Sequence, residues 1–300
     1  MNYRELGKTG VVVSEVGLGC NRLGEPDHPE EHWTGLVEQA VDLGVTLFDS
    51  AESYKSGRSE EILGQVLGNR GDMCVATKMG GPKRDMSAAR VVEAAEASLQ
   101  RLRRDRIDIY QIHSPNREEM ERFDWADGLA RLKEQGKIRF RAVAVNSAAD
   151  ALWLIEQGLV EALQVTYNLF NTEAEEGLFD VAQRQGIGLL CRLPLAQGIL
   201  TGKFRPGEVV PEGHRAHRAH HRMAERIQMA DDLHGVGAAY EGGLTRMALH
   251  FSLTPRAISA IIPGARTSQQ LAENVAASSV LGLPDAIRQE IDRVRAGWKV

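Results

Sequence analysis

From Val16 to Ala277 the chain repeats one pattern: a short apolar run with little alternation, a polar turn, then a longer segment with apolar residues three or four positions apart. Runs without alternation suit strands buried on both faces, and strands separated by helices pair in parallel. The predicted strands are "VGLGC" (Val16–Cys20), the run ending at Asp49, "MCVATK" (Met73–Lys78), "IDIYQIH" (Ile107–His113), "FRAVAVN" reaching Asn146, "ALQVTYN" reaching Asn168, "GIGLLCRLP" and Ile258–Ile262. Helical spacing falls between them, over Trp33–Leu43, from Ser59 through Leu67, over Ala88–Leu102, through Leu129 and Leu132 to a stop at Gly136, over Ala149–Gln157 and over Phe179–Gln185. A long polar connection precedes the eighth strand, and Ser268–Ala277 is its helix. Strict alternation over about this length predicts an α/β fold, a (β/α)8 TIM barrel occupying residues 1–300 as one domain. Before it, Tyr3–Val16 alternates and turns at "GKTG", which predicts a short N-terminal β-hairpin. A doubly wound open sheet fits less well, because "GLGCNRLG" lacks the third glycine at the spacing a dinucleotide turn requires.

Composition narrows the function. A net charge of −5 and a pI near 6.0 give no general attraction to nucleic acid or anionic membrane. No apolar run is long enough to span a bilayer, and the start "MNYRELGKTG" lacks a signal-peptide pattern, so the expected location is the cytoplasm. Cys20, Cys74 and Cys191 lie far apart in apolar stretches and are expected as reduced core residues.

In such a barrel chemistry gathers where the strands end. The second strand ends in Asp49, the third in Lys78 and the fourth in His113, while Tyr54 lies in the loop after the second. Each alone has an ordinary explanation: Asp49 as a cap, Tyr54 as a loop aromatic, Lys78 as a solvated stem, His113 as a core histidine. At three successive strand ends they converge. A phenol with a free pKa near 10 donates a proton poorly at neutral pH, and a neighbouring ammonium stabilises its phenolate. Lys78 can be that ammonium, Asp49 can hold it charged, and His113 can hydrogen-bond a substrate oxygen. The set suits protonation of a carbonyl oxygen while hydride reaches carbon. No side chain supplies hydride, so a nicotinamide cofactor is implied.

"LFDSAESYKSGRSEEILG", "VATK" and "DIYQIHSP" resemble, in order, the Asp, Tyr, Lys and His motifs of the aldo-keto reductase superfamily, and the likeness runs from "YRELGKTGVVVSEVGLG" to "IPGARTSQQLAENVAAS". The resemblance implies an NAD(P)H-dependent reductase of aldehydes or ketones, with Tyr54 as general acid, Lys78 and Asp49 tuning it, and His113 orienting the carbonyl. It further implies a cofactor site including Gly19, Cys20, Asn21, Asp49, Asn146, Ser147 and Gln164. "LPLAQGILTGKF" should follow the pyrophosphate with Pro194, Leu195, Gln197, Gly198, Leu200 and Lys203, and Pro263, Gly264, Arg266, Gln270, Glu273 and Asn274 should meet the adenosine half. Arg266 has no acidic residue beside it in sequence, which favours reading a 2′-phosphate and hence NADPH (NADP⁺). Two departures stand out: Asn146-Ser147 where many members read Ser-Asn, and Arg192 where many carry a tyrosine under the nicotinamide. Arg192 either stacks on that ring or grips substrate.

The expected partner is a small carbonyl compound or its alcohol, with the mouth lined by Asn21, Arg22, Asn116 and Arg117 beside Tyr54 and His113. A short tail after Pro284 suggests an open pocket. "GHRAHRAHHRMAER" places His217 and His221 at helical spacing, but no Cys or well-placed carboxylate completes a metal site and Arg dominates the neighbourhood, so no metal is expected and the stretch reads as a solvated basic loop near the cofactor phosphates. Two other readings remain: a barrel lyase or aldolase forming a Schiff base at Lys78, and a low-turnover sensor that holds NADP(H). The sequence leaves the oligomeric state open.

Overall fold

The computed structural model describes residues 1–80, 85–279 and 282–298. In chain order the elements are β1 (Tyr3–Glu5), β2 (Val12–Ser14), β3 (Leu18–Gly19), α1 (Glu30–Asp42), β4 (Leu47–Asp49), α2 (Arg58–Val66), β5 (Cys74–Met79), α3 (Ala88–Leu102), β6 (Ile107–His113), α4 (Arg117–Arg122), α5 (Trp125–Glu134) and β7 (Ile138–Ala144). They continue with α6 (Ala148–Glu156), β8 (Ala162–Thr166), α7 (Leu178–Gln185), β9 (Gly188–Arg192), α8 (Met223–Asp232), α9 (His234–Ala239), α10 (Gly243–Leu253), β10 (Ile258–Ile261), α11 (Ser268–Val275) and α12 (Asp285–Arg295).

Strands β3 to β10 pair in parallel in chain order. The two ends of that sheet meet: Gly17 N–H donates to the Ile261 carbonyl at 2.8 Å, Ile261 N–H to the Glu15 carbonyl at 2.9 Å, and Gly19 N–H to the Pro263 carbonyl at 3.0 Å. The sheet therefore closes into the predicted barrel. A Cβ on Gly19 would lie 2.7 Å from the Ile262 carbonyl oxygen, so the seam closes at that height only around a glycine.

Closure creates two cores. Between sheet and helices, each helix buries one stripe; in α3 that stripe is Val91, Ala94, Ala95, Ser98 and Leu102, with Ser87 capping the start by accepting from Arg90 N–H. Inside the barrel the lower layers are apolar: Leu47, Cys74, Ala76, Ile109, Ala142, Ala162, Leu190 and Ala260 pack with Leu6, Val11 and Val13 of the hairpin. The hairpin docks at the N-terminal end of the strands, where Lys8 N–H donates to the Gly186 carbonyl at 2.8 Å. With one end plugged, the opposite end carries the open mouth.

The long connection before the eighth strand is more structured than expected. It contains α8, α9 and α10, and α10 is the barrel helix between β9 and β10. Residues Met247 to Leu253 of α10 are buried all round, so they carry no amphipathic signal. The buried His250 accepts from the Tyr240 hydroxyl at Nδ1 (2.6 Å) and donates from Nε2 to the Ala277 carbonyl (2.9 Å). The tail likewise forms α12, packed near α9.

Candidate active site

Side chains along a strand alternate between faces, so the barrel interior can be read two residues at a time. On β4 the inward series runs from Leu47 to Asp49; on β5 from Cys74 and Ala76 to Lys78; on β6 from Ile109 to Gln111 and His113; on β8 from Ala162 to Gln164 and Thr166; on β9 from Leu190 to Arg192. The register sets Lys78 opposite Gln111, Ala144 opposite Gln164, and Thr166 opposite Arg192. The same face changes from aliphatic to polar at one height on neighbouring strands. That layer is the floor of the mouth.

At its centre Lys78 is fully buried, and its Nζ donates to Asp49 Oδ2 at 2.6 Å and to the Ser50 carbonyl at 2.7 Å. Nζ lies 5.1 Å from the centroid of the Tyr54 ring. Burial opposes its charge, but Asp49 and the Tyr54 side chain outweigh that, and the ammonium is held above its ordinary pKa. The second oxygen of Asp49 accepts from Gln164 Nε2 at 2.8 Å and from Gln111 Nε2 at 3.2 Å. A buried carboxylate with both oxygens engaged and a cation at 2.6 Å is fixed in place.

Tyr54 reaches this floor through an unusual turn. After it, Lys55, Ser56 and Gly57 follow with φ of 51°, 54° and 90°, consecutive left-handed residues that turn the chain sharply into α2. Its ring meets His113 edge to face, with centroids 5.8 Å apart and planes at 82°. Burial pushes the His113 pKa down to about 3, reinforced by the positive charges of Lys78 and Arg192, so the imidazole is neutral at physiological pH.

Arg192 completes the rim. Its guanidinium donates to Thr166 Oγ1 (3.1 Å), Ser114 Oγ (3.3 Å), the Val145 carbonyl (2.9 Å) and Asn146 Oδ1 (2.9 Å). Those four partners lie at the ends of β8, β6 and β7, so the side chain bridges neighbouring strand ends. All are neutral.

Two adjoining cavities open here. One, of about 390 Å³, is lined by Gly19, Cys20, Asn21, Asp49, Tyr54, His113, Gln164 and Arg192, together with Lys55, Arg215 and Arg218. The other, of about 410 Å³, is lined by Arg22, Pro194, Leu195, Gln197, Gly198, Lys203, Pro263, Gly264, Arg266, Gln270, Glu273 and Asn274, with His214 and Arg215 among its further walls. Asn21, Leu193, Gln197, Arg215 and Ile262 wall both. The second cavity is crowded with positive charge: burial lowers Lys203, and Arg266 and Arg22 lower it further, while the His214 pKa is pushed down to about 4 by burial and by Lys203 and Arg22. The Gln197 side-chain oxygen and Arg266 Nε are buried there without a hydrogen-bond partner. Of these two, Arg266 Nε is a donor, and with Lys203 and Arg22 it makes one end of the long double cavity fit a ligand's phosphates.

Comparisons with known proteins agree with this geometry. Residues 15–296 match the model of the Aldo/keto reductase family. The chain belongs to the aldo/keto reductase family. Similar relatives include the oxidoreductase YqkF of Bacillus subtilis (strain 168), 29% identical with 95% of this chain and 94% of that protein covered, and a probable voltage-gated potassium channel subunit beta of Arabidopsis thaliana, 30% identical with 94% and 93% covered. Among solved structures, the holo form of the aldo-keto reductase AKR11C1 from Bacillus halodurans superposes with a TM-score of 0.81 at 26% identity, covering 98% of this chain and 96% of that one. Aldo/keto reductases are oxidoreductases that use nicotinamide cofactors and act on small molecules.

Within this aldo/keto reductase the structure moves several expected residues. Arg22 lines the second cavity rather than the one that holds Tyr54 and His113, and pairs with Glu25 at 2.6 Å. Asn116 lines neither cavity: its side chain accepts from Glu119 N–H in a capping box at the start of α4. Arg117 turns away to pair with Asp150 at 3.0 Å and stack on Trp153. Ser147 is the N-cap of α6 and bonds Asp150, and Asn146 is taken by Arg192, and neither lines either of the two adjoining cavities. Leu200 is buried in the core and lines neither of the two cavities. Arg266 is corrected in one respect: no acid adjoins it in sequence, but the fold brings Asp27 into an ion pair with it and Glu25 to 4.0 Å.

Several residues of the site escaped the sequence reading. Gln111 had a signal, since it stands two positions before His113 and shares its face. Arg215 and Arg218 belong to the basic stretch that the sequence places as a solvated loop near the cofactor phosphates, and nothing local says that it also folds over the mouth. That segment, residues 215–222, is a 3₁₀ stretch; among the described residues no group of three His, Cys, Asp or Glu side chains converges on a possible metal position there or elsewhere. Cys20, Cys74 and Cys191 are free and buried, with thiol pKa values raised by burial. No helix of the described residues is long and apolar enough to cross a membrane.

Proposed function

We propose that this protein is an NADPH-dependent reductase that interconverts an aldehyde or ketone and its alcohol, with Tyr54 as the general acid. The observation that carries the reading is the buried Asp49–Lys78 pair set directly beneath the Tyr54 ring. A fixed ammonium there favours the phenolate that Tyr54 becomes when it gives its proton to a carbonyl oxygen. Neutral His113, perpendicular to the Tyr54 ring, can donate a hydrogen bond to the same oxygen without adding charge. The nicotinamide, when bound, supplies the hydride.

Gln164 and Asn21 would face the nicotinamide end. The 193–203 segment and the Pro263–Asn274 segment would hold the phosphates and adenosine. The cationic end formed by Lys203, Arg22 and Arg266 supports a cofactor carrying the additional 2′-phosphate. A Schiff-base role for Lys78 is disfavoured: a lysine held as its ammonium by Asp49 at 2.6 Å is a poor nucleophile.

Loss of nicotinamide absorbance with NADPH and a panel of small carbonyl compounds tests the activity. Tyr54→Phe is expected to bind NADPH as the parent does and to lose about 10²–10⁴-fold in carbonyl reduction. Turnover within a few-fold of the parent would remove Tyr54 from the mechanism.

A further inference from the structure

The wall of the catalytic cavity that faces Tyr54 and His113 carries three guanidinium groups, those of Arg192, Arg215 and Arg218. None of them forms an ion pair among the described residues: Arg192 is bound by neutral acceptors, and Arg215 lies against the side chain of Asn21. The other charges lining the cavity are already matched, Asp49 by Lys78 and Lys55 by Glu25 at 2.8 Å. In a chain with a net charge of −5, a catalytic mouth with three uncompensated positive charges is built against the general trend. The strain is visible in Arg215, whose pKa burial pushes down to about 10, with Arg218 and Arg22 adding repulsion.

The cofactor's phosphates do not account for all of this charge. Arg215 stands at the junction and walls both cavities, so it can serve a phosphate; Arg192 and Arg218 line the catalytic cavity alone. They share that cavity with Tyr54 and His113, where a carbonyl substrate would be reduced.

We propose that the substrate is a small aldehyde or ketone bearing its own anionic group, carboxylate or phosphate, which Arg218 and Arg192 hold while Tyr54 and His113 take the carbonyl oxygen. The proposal rests on the reductase reading above and adds the substrate class to it. The planar fork of Arg218 can meet a carboxylate or phosphate with two parallel hydrogen bonds, while Arg192, already anchored by four protein acceptors, contributes its positive charge. Arg218 sits on the exposed segment over the mouth, where an incoming anion meets it first; Arg192 lies deeper, beside His113.

The test compares matched pairs: succinic semialdehyde against butanal for carboxylate, and glyceraldehyde 3-phosphate against glyceraldehyde for phosphate. In the parent enzyme the anionic member of at least one pair is expected to show a kcat/KM about ten- to a hundredfold higher, the worth of one or two hydrogen bonds to charge. That advantage should shrink between 20 mM and 500 mM salt, since the site is open to solvent. Which pair shows it identifies the anion. Arg218→Ala should collapse the ratio through KM, and Arg218→Lys should restore part of it. Equal or better use of the neutral member of both pairs, or a ratio indifferent to salt and to Arg218→Ala, overturns the proposal while leaving a reductase. Binding of succinate or inorganic phosphate, followed by calorimetry, separates the two failures. If no carbonyl compound is reduced yet the anion binds and Arg218→Ala weakens it, the anion site stands and the reductase reading falls.

Discussion

Replacing Lys78 by Met is the most informative single perturbation of the site. At 2.6 Å the attraction between Lys78 and Asp49 is about 6 kcal/mol at an effective dielectric near 20. Removing both charges from water costs several kcal/mol per ion, so the intact pair contributes little net stability. Breaking it is different. Lys78→Met leaves the Asp49 carboxylate 3% exposed, with only two amides as partners, and the expected loss is about 3–5 kcal/mol. Asp49→Asn with Lys78→Met removes both charges and should recover most of that loss, although neither protein should reduce carbonyls at more than a small fraction of the parent rate. Urea unfolding of the parent, both single variants and the double variant closes the cycle. Additive losses, with the double variant as unstable as the sum of the singles, would refute the claim that Asp49 exists at this position to hold Lys78. Recovery of stability together with recovery of activity would refute the claim that Lys78 serves Tyr54.

Other expectations follow from the same geometry. Burial holds His113 at a pKa of about 3, against 6.5 for an ordinary imidazole, so between those values it stays neutral when folded and takes up a proton on unfolding; stability from this group is complete above about pH 6.5 and is lost as pH falls toward 3. His113→Gln should flatten that part of the urea-midpoint profile between pH 7 and 4, and an unchanged slope would count against the burial argument. Arg266→Ala should shrink the preference for NADPH over NADH, while Asp27→Asn, by freeing Arg266 from its ion pair, should enlarge it; titrations of both cofactors decide this, and equal affinities in the parent would sink the assignment. Arg192 places positive charge at the nicotinamide end, which disfavours the cationic oxidised ring; in Arg192→Tyr the NADP⁺ dissociation constant should fall relative to that of NADPH, and a fixed ratio would leave substrate holding as its sole electrostatic role.

The barrel and its polar floor were legible because both rest on short-range periodicity. A strand's face repeats every two residues, so Asp49, Lys78 and His113 at the ends of apolar runs had to lie at one end of one sheet, and Gln111 could have been added by the same count. The helix α10 escaped because a segment buried on all sides has no polar face to give it a period. Chain order also brought together the segments expected to hold a cofactor, since nearly all of their named residues line the double cavity.

What local pattern could not decide was which distant groups meet. Asn116 and Ser147 are polar residues at strand ends and looked available for ligands; the fold uses both as helix caps, a role set by backbone N–H groups that only exist once α4 and α6 form. Arg266 looked free of acids until closure of the barrel brought Asp27 to it across 239 positions of sequence. Arg192 looked like a substitute for an aromatic ring and proved to be a bridge between strand ends, because its partners come from β6, β7 and β8 at a height fixed by register. Arg215 and Arg218 belong to a segment whose own sequence favours solvent, and only the packing of 193–222 over the mouth turns them inward. Periodicity is a property of neighbours along the chain, whereas charge balance depends on separations in space, and those are set by the closed barrel.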